Sequence, residues 1–285
     1  MVLGARLRRL REACGITREG AGEAIRGSHS KISRLELGRT GFRERDLNDL
    51  LALYGVTDPE ECGEYLALAR QANASGWWHR DNDWLPKWFD TYLGLENAAR
   101  LIRGFEPRVV PELLQTPDYA RALIALAHPG ESEDVIERRV ALRMRRQEIL
   151  DRAHPPQLWL VVEEAALRRP IGGSMIWQAQ LDHLERAAAR PNVTVQVIAD
   201  HVGGPAVAEG GFTVLRFAEP DLPDIVYLQQ LTSALYLDKR TDLDAYLAVA
   251  NQLSVHAAPP EYTPGLLAAL RRRQPEIMDR PAGER

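Results

Sequence analysis

Apolar residues recur at helical spacing through the first half of the chain and gather into short runs in the second. Leu3, Leu7, Leu10 and Cys14 form an i, i+4, i+7, i+11 stripe, and Leu47, Leu50, Leu51 and Tyr54 form another. Each reads as the inward face of an amphipathic helix. Between them, Ile32 and Leu35 stand one turn apart and predict a shorter helix of the same kind. Thr17 and Ser28 are side chains that cap helix N-termini, so two helix starts fall eleven residues apart. A fifth helix is expected near Pro59 to Ala72.

Beyond a polar stretch, Leu85, Trp88, Phe89, Tyr92, Leu95 and Ala99 again sit at helical spacing, which assigns these aromatics to a core. Thr116 as N-cap, Pro117 at the first helical position and Asp118 in the first turn mark a further helix start. From about residue 157 the pattern changes. Leu158–Val162, Val193–Ile198, Phe212–Phe217 and Ile225–Leu228 are short β-branched and apolar runs that read as strands. A helix carrying Trp177, Leu181, Leu184 and Ala188 separates the first two, which favours a parallel pair; the closely spaced third and fourth favour antiparallel strands. Thr241 is expected to cap a closing helix with Leu243, Tyr246, Leu247, Ala250 and Leu253 inward.

The fold class is therefore α+β. Residues 1–72 form an all-α five-helix domain, 73–83 a linker, and 84–285 an α-helical and then mixed α/β domain with a small sheet. The linker, NASGWWHRDND, carries Trp77 and Trp78, a pair suited to docking one domain on the other or on a second protomer.

Thr17 to Arg39 reads as two short helices joined by a tight turn, the shape that lays a helix in the major groove of DNA. With Ile32 and Leu35 facing the core, His29, Ser30, Ser33 and Arg34 fall on the opposite face as candidate base readers. Arg34 can make a bidentate pair with a guanine edge, whereas the other three offer shorter, less selective hydrogen bonds. Lys31 and Arg39 are placed to reach phosphate. A short amphipathic helix with three cations also fits an ordinary solvated surface, so the flanking helices matter to the reading.

Charge sharpens it. The whole chain carries a formal net charge of -4, but residues 1–45 hold eleven Lys/Arg against five Asp/Glu, and residues 46–72 one Arg against six acids. The positive potential is concentrated on the first three helices and their loop. Arg6, Arg8, Arg9, Arg18, Arg39 and Arg43 are candidate backbone clamps, and phosphate contacts of this sort make binding fall steeply with salt.

Over roughly residues 3 to 72, SKISRLELGR and RLRRLREACGIT resemble the Xre-type repressor domains related to phage repressors and Cro, a lambda-repressor-like helix-turn-helix fold. The resemblance implies that Thr17 and Arg18 contact phosphate at the second helix N-terminus, and that Arg11 and Glu36 form a partly buried ion pair between the first and third helices. Three positions depart from the family pattern. Ala21 replaces a bulky apolar residue, Gly22 replaces alanine, and the turn glycine comes one place late, at Gly27. Gly20 and Gly22 each weaken the second helix by roughly 1 kcal/mol relative to alanine.

Further on, PELLQTPDYARA, RRQEIL and LWLVVEEAALRRPIGG resemble the C-terminal domain of WhiJ-type regulators of actinobacteria, over most of residues 76 to 270. Glu112 stands where that family usually has glycine, which leaves the backbone after Pro111 open. The resemblance implies an antitoxin-like regulator with a small partner protein encoded nearby.

Enzymatic signatures are sparse. Glu163 and Glu164 adjoin at a strand end, and strand neighbours point to opposite faces. The seven histidines show no metal-ligand spacing, and no nucleophile elbow, Walker loop or dinucleotide fingerprint occurs. No cofactor or metal is expected. The 201–211 stretch, with its paired glycines, reads as a connection or a ligand lid. Arg138, Arg139, Arg145 and Arg146 recur near one helix face, with Arg143 less well aligned, as a solvated or salt-bridged face or an acidic partner's surface. Cys14 and Cys62 are expected to pack in the core, with no disulfide in a reducing cytosol.

No membrane span or secretory signal is present in the sequence, which points to a cytoplasmic, nucleoid-associated protein. The expected function is a sequence-specific transcriptional regulator, a repressor in the resemblance, binding double-stranded DNA as a homodimer. Its C-terminal domain mediates dimerisation and binds a small partner protein or effector. Two other classes stay open: a protein-interaction adaptor with weak DNA binding, and a DNA-tethered enzyme.

Overall fold

In the computed structural model, residues 2–38, 40–73, 85–202, 210–219 and 222–278 are described. They divide into two compact units, one of Met1–Leu95 with Phe217–Pro223, the other of Glu96–Arg216 with Asp224–Arg285.

The first unit begins with five helices: α1 (Val2–Ala13), α2 (Arg18–Ala24), α3 (His29–Glu36), α4 (Glu44–Leu53) and α5 (Pro59–Asn73). The apolar stripes converge as their spacing predicts. Leu3 and Leu7 of α1, Ile32 and Leu35 of α3, and Leu47, Leu50 and Leu51 of α4 join Ala21, Ile25, Phe42 and Tyr54 in one buried cluster. Cys14 departs from its stripe because α1 ends at Ala13; it is exposed, with its thiol donating to the Tyr54 carbonyl at 3.4 Å. Cys62 is half-buried against the cluster, and both thiols are free.

Asn73, expected to open the linker, instead closes α5. Its side chain accepts from Phe42 N at 2.8 Å and donates to Phe42 O at 2.6 Å, tying the end of α5 to the chain before α4. The remaining linker, 74–83, with Trp77 and Trp78, lies outside the described residues. A sixth helix, α6 (Lys87–Ala98), sets Trp88 edge-on to Phe89 and stacks Phe89 on Tyr92, at centroid separations of 5.7 and 5.9 Å.

The second unit is built on a six-stranded sheet: β1 (Ala99–Glu106), β2 (Gln157–Glu163), β3 (Val193–Ile198), β4 (Phe212–Phe217), β5 (Ile225–Gln229) and β6 (Ala234–Leu237), in the order β3-β2-β1-β4-β5-β6. β1, β2 and β3 are parallel, with Leu101 opposite Gln157 and Leu158 opposite Val193. β4, β5 and β6 form an antiparallel meander. The other helices are α7 (Pro117–Ala127), α8 (Glu133–Gln147), α9 (Glu164–Arg168), α10 (Ser174–Ala188), α11 (Arg240–His256) and α12 (Thr263–Met278). α10 makes the crossover between β2 and β3 and buries Trp177, Leu181 and Leu184. α11 lays Leu243, Ala250 and Leu253 on a cluster with Phe105, Val161, Ile198, Phe212 and Val226.

Two sequence expectations need correcting, and one strand goes beyond them. β1 follows α6 without a break and occupies a central position in the sheet, where the spacing had continued the helix through Ala99. β6, only four residues long, was unforeseen. Thr241 does not cap α11: the helix starts at Arg240 with Lys239 as N-cap, and that cap makes no side-chain hydrogen bond. Thr116, by contrast, caps α7 by accepting from Tyr119 N at 3.3 Å, ahead of Pro117.

Candidate nucleic-acid interface

Thr17 and Ser28 each open a helix. Thr17 Oγ1 accepts from Gly20 N at 3.1 Å and Ser28 Oγ accepts from Lys31 N at 3.3 Å, and both caps have extended backbone. The turn between the helices is a Schellman motif. Gly27 N donates to Gly22 O at 2.8 Å and Arg26 N to Glu23 O at 3.0 Å. That motif calls for a left-handed residue after the cap, and Arg26 fills it with φ 51°. The displaced glycine thus leaves an arginine in a conformation that costs a non-glycine residue about 1 kcal/mol.

Gly22 has a packing reason to lack a side chain. A Cβ there would lie 3.0 Å from Ser28 C and 3.1 Å from Gly27 O, so the helix-weakening glycine lets α2 sit closely against the start of α3. Ala21 is wholly buried in the core cluster with Ile25 and Ile32.

α3 seals Ile32 and Leu35 in the core and exposes His29, Ser30 and Arg34; Ser33 is half-buried at the margin of that face. Ser30 Oγ lies 3.3 Å from His29 Nε2, within hydrogen-bonding distance. At the other end of α3, Arg11 and Glu36 meet almost entirely out of water, 6% and 5% exposed. Arg11 Nε donates to Glu36 Oε1 at 2.5 Å and Nη2 to Oε2 at 3.2 Å, while Nη1 donates to Ile16 O at 2.8 Å. The hydrogen bond to Glu36 raises the Arg11 pKa against the lowering effect of burial. Nearby, burial raises the Tyr54 phenol and the Glu36 charge adds to the effect.

The candidate phosphate contacts have varied surroundings. Arg18 donates through Nε to Glu36 Oε2 at 3.1 Å, and the Lys31 ammonium stands 2.6 Å from Asp46 Oδ2. Arg9 and Arg43 are exposed, Arg43 immediately before α4. Arg6 and Arg8 are half-buried, and Arg8 pairs with Glu12 at 2.9 Å, which holds that carboxyl below its ordinary value. Arg39 lies outside the described residues. Asp46 was not singled out from the sequence, although Phe42, Asp46 and Leu50 are buried at i, i+4 and i+8, so the acid sits on an inward face.

In the second unit the basic cluster of α8 resolves into two faces. Arg138 and Arg145 are exposed, but Arg143, which the spacing set apart, turns inward with Arg146. Arg146 takes Glu96, and both arginines take Glu112, with Arg143 Nη2 2.7 Å from Glu112 Oε1. Arg139 pairs with Glu131 at 2.7 Å. Glu112 settles the backbone after Pro111: it opens a 3-10 turn, Glu112–Leu114, that brings its carboxylate to these cations. Burial acts to raise Glu112, but Arg143 and Arg146 outweigh it and hold the carboxyl down at about 2. Glu106, at the end of β1, is pushed up to about 7 by burial and by Glu112.

The paired glutamates do not follow strand geometry, because β2 ends at Glu163 and α9 begins at Glu164. Glu164 accepts from Arg168 Nη2 at 2.5 Å and from Asp200 N at 3.3 Å, while burial and Asp200 raise the Glu163 pKa. Of the 201–211 stretch, 203–209 lie outside the described residues. No helix among the described residues is long and apolar enough to cross a membrane.

Two capped helices, a Schellman turn and a third-helix face open to solvent define a helix-turn-helix domain, and residues 2–62 match the family model described as a helix-turn-helix domain. Residues 89–269, more than half of the chain, match the domain of unknown function DUF5753, and the chain belongs to that family. No curated protein and no solved structure matches the chain.

Proposed function

We propose that the chain is a sequence-specific transcriptional regulator of the Xre type. α3 enters the major groove, Arg34 makes the selective base contact, and His29, Ser30 and Ser33 assist it. Thr17 and the exposed Arg9 and Arg43 approach the DNA backbone, with Arg18 shared between phosphate and Glu36. The observation that carries the reading is the arrangement of α3: one face is sealed by Ile32 and Leu35, the helix end is locked by Glu36 on Arg11, and the polar face is left to solvent. One such helix covers too short a site to discriminate well, so the reading includes a homodimer on paired half-sites. The resemblance to WhiJ-type regulators supports assigning dimer assembly and an antitoxin-like response to a small partner protein or effector to the C-terminal unit.

A gel shift with full-length protein and the DNA upstream of its own coding region tests this. The expected result is a discrete complex that weakens steeply as salt rises and is lost in the Arg34→Ala, Lys31→Ala variant. Absence of any complex at low salt overturns the regulator reading and leaves the interaction adaptor in its place.

A further inference from the structure

Lys31 belongs to the first turn of α3, yet its side chain does not join His29 and Ser30 at the solvent face. Its backbone amide is engaged with the Ser28 cap, and its stem runs back across the turn to Asp46 in the first turn of α4, at 2.6 Å. Gly27 clears that route: a Cβ there would stand 2.9 Å from Lys31 Cδ. Gly27 is not among the residues with positive φ, so the late glycine serves this passage, while Arg26 supplies the turn's left-handed residue.

Asp46 is 8% exposed and lies where the N-terminal amides of α4 favour a carboxylate. If Lys31 swung out to a phosphate, a nearly buried anion would lose its cation, and one contact in high dielectric does not return that loss. α3 is consequently held by an ion pair at each end. Glu36 is tied to Arg11 and Arg18 at the C-terminal end, and Lys31 to Asp46 at the N-terminal end. Between them stand only the two core residues Ile32 and Leu35, about which a helix released at one end can pivot.

We infer that Lys31 is a positioning residue: its tether to Asp46 sets the angle at which α3 is presented to DNA, and its ammonium does not itself take a phosphate. The inference rests on reading α3 as the recognition helix.

The test uses the full-length protein, an operator that it selects from randomised duplexes, and a random-sequence duplex of equal length, titrated over a salt series. Asp46→Asn and Lys31→Met are each expected to reduce the operator-to-random affinity ratio about tenfold, as the loss of one base-pair readout would. The double variant should lose no more than either single one, because the two residues act as a unit, and Lys31→Arg should restore the ratio. The dependence of log affinity on log salt should keep its unmodified slope in Lys31→Met. A slope shallower by about one marks a lost phosphate contact and overturns the inference. A ratio unchanged in Asp46→Asn overturns it too, and this near-isosteric variant carries the test if Lys31→Met does not fold. An unmodified protein that selects no sequence overturns the recognition-helix reading, and this inference with it. Selection by the unmodified protein and an undiminished ratio in Asp46→Asn overturn the positioning role alone.

Discussion

Arg146 holds Glu96 through both arms of its fork, Nε to Oε2 at 2.9 Å and Nη2 to Oε1 at 2.8 Å, with each residue at most 3% exposed. Glu112 binds the remaining guanidinium nitrogen and hands its other oxygen to Arg143, so a chain of alternating charges ties both the end of α6 and the 3-10 turn to α8. Such pairs add little net stability while intact, but a broken one leaves a buried charge without its partner.

Glu96→Ala should accordingly lower the thermal unfolding midpoint of the C-terminal unit by on the order of ten degrees. Replacing both partners, Glu96→Leu with Arg146→Met, should recover most of that loss, since the uncompensated charge is gone. Differential scanning calorimetry of the full chain measures both. A double variant as unstable as the single one would contradict the assignment of the loss to charge burial.

Glu106 and Glu112 act on opposite sides of pH 4.5. The folded Glu106 keeps its proton up to about 7, whereas the unfolded chain releases it near the ordinary value, so stability falls as pH rises across that window. Glu112, held down at about 2, contributes stability above the ordinary value that is lost as pH falls from 4.5 toward 2. Their combined contribution peaks near pH 4.5, midway between the two folded values. Glu106→Gln should flatten the alkaline side of the profile, gaining at most about 3 kcal/mol above pH 7. A melting series of both proteins from pH 3 to 8 shows whether the two curves diverge there (roughly the span over which these carboxyls titrate).

Arg26→Gly relieves a left-handed arginine in the Schellman turn and should stabilise the N-terminal unit by at most about 0.5 kcal/mol, net of the extra freedom glycine has when unfolded. Chemical denaturation followed by circular dichroism provides the measurement; a destabilised variant would mean that the arginine side chain holds the turn.

Arg34 and Arg43 should separate in their salt behaviour. Arg34→Ala is expected to lose about 1–3 kcal/mol of discrimination at one base pair of the selected operator. Arg43→Ala should weaken all sequences alike and reduce the salt slope by about one. Binding titrations on operator and single-substitution duplexes distinguish the two patterns. Equal behaviour of the variants would remove Arg34 from base reading.

The features that could be read from the sequence are those with local causes. Thr17 and Ser28 cap because their oxygens reach amides three residues on, and Ile32 and Leu35 face inward because of helical period. β2, α10 and β3 were visible as two apolar runs around one helical stripe. β1 was not, because it follows α6 directly and carries Arg100, Arg103 and Glu106 in place of a clean alternation. Arg103 is accommodated by groups distant in sequence, donating to Asn251 Oδ1 and Ser254 Oγ and lying over Trp159. Asp46, and the pairing of Glu112, were hidden for the same reason. An inward-turned carboxylate becomes intelligible only when its cation, fifteen or more positions away, is placed beside it.

The order of strands also bears on how the chain assembles as it is made. The five-helix bundle is complete by Asn73, and its buried cluster lies within residues 3–69. β1, by contrast, must wait for β4, whose first residue is Phe212, before the two halves of the sheet can join. Helical, local architecture folds quickly, while a sheet closed by distant segments folds slowly. On a growing chain, the helix-turn-helix unit is therefore finished while more than a hundred residues of its companion unit remain to be synthesised.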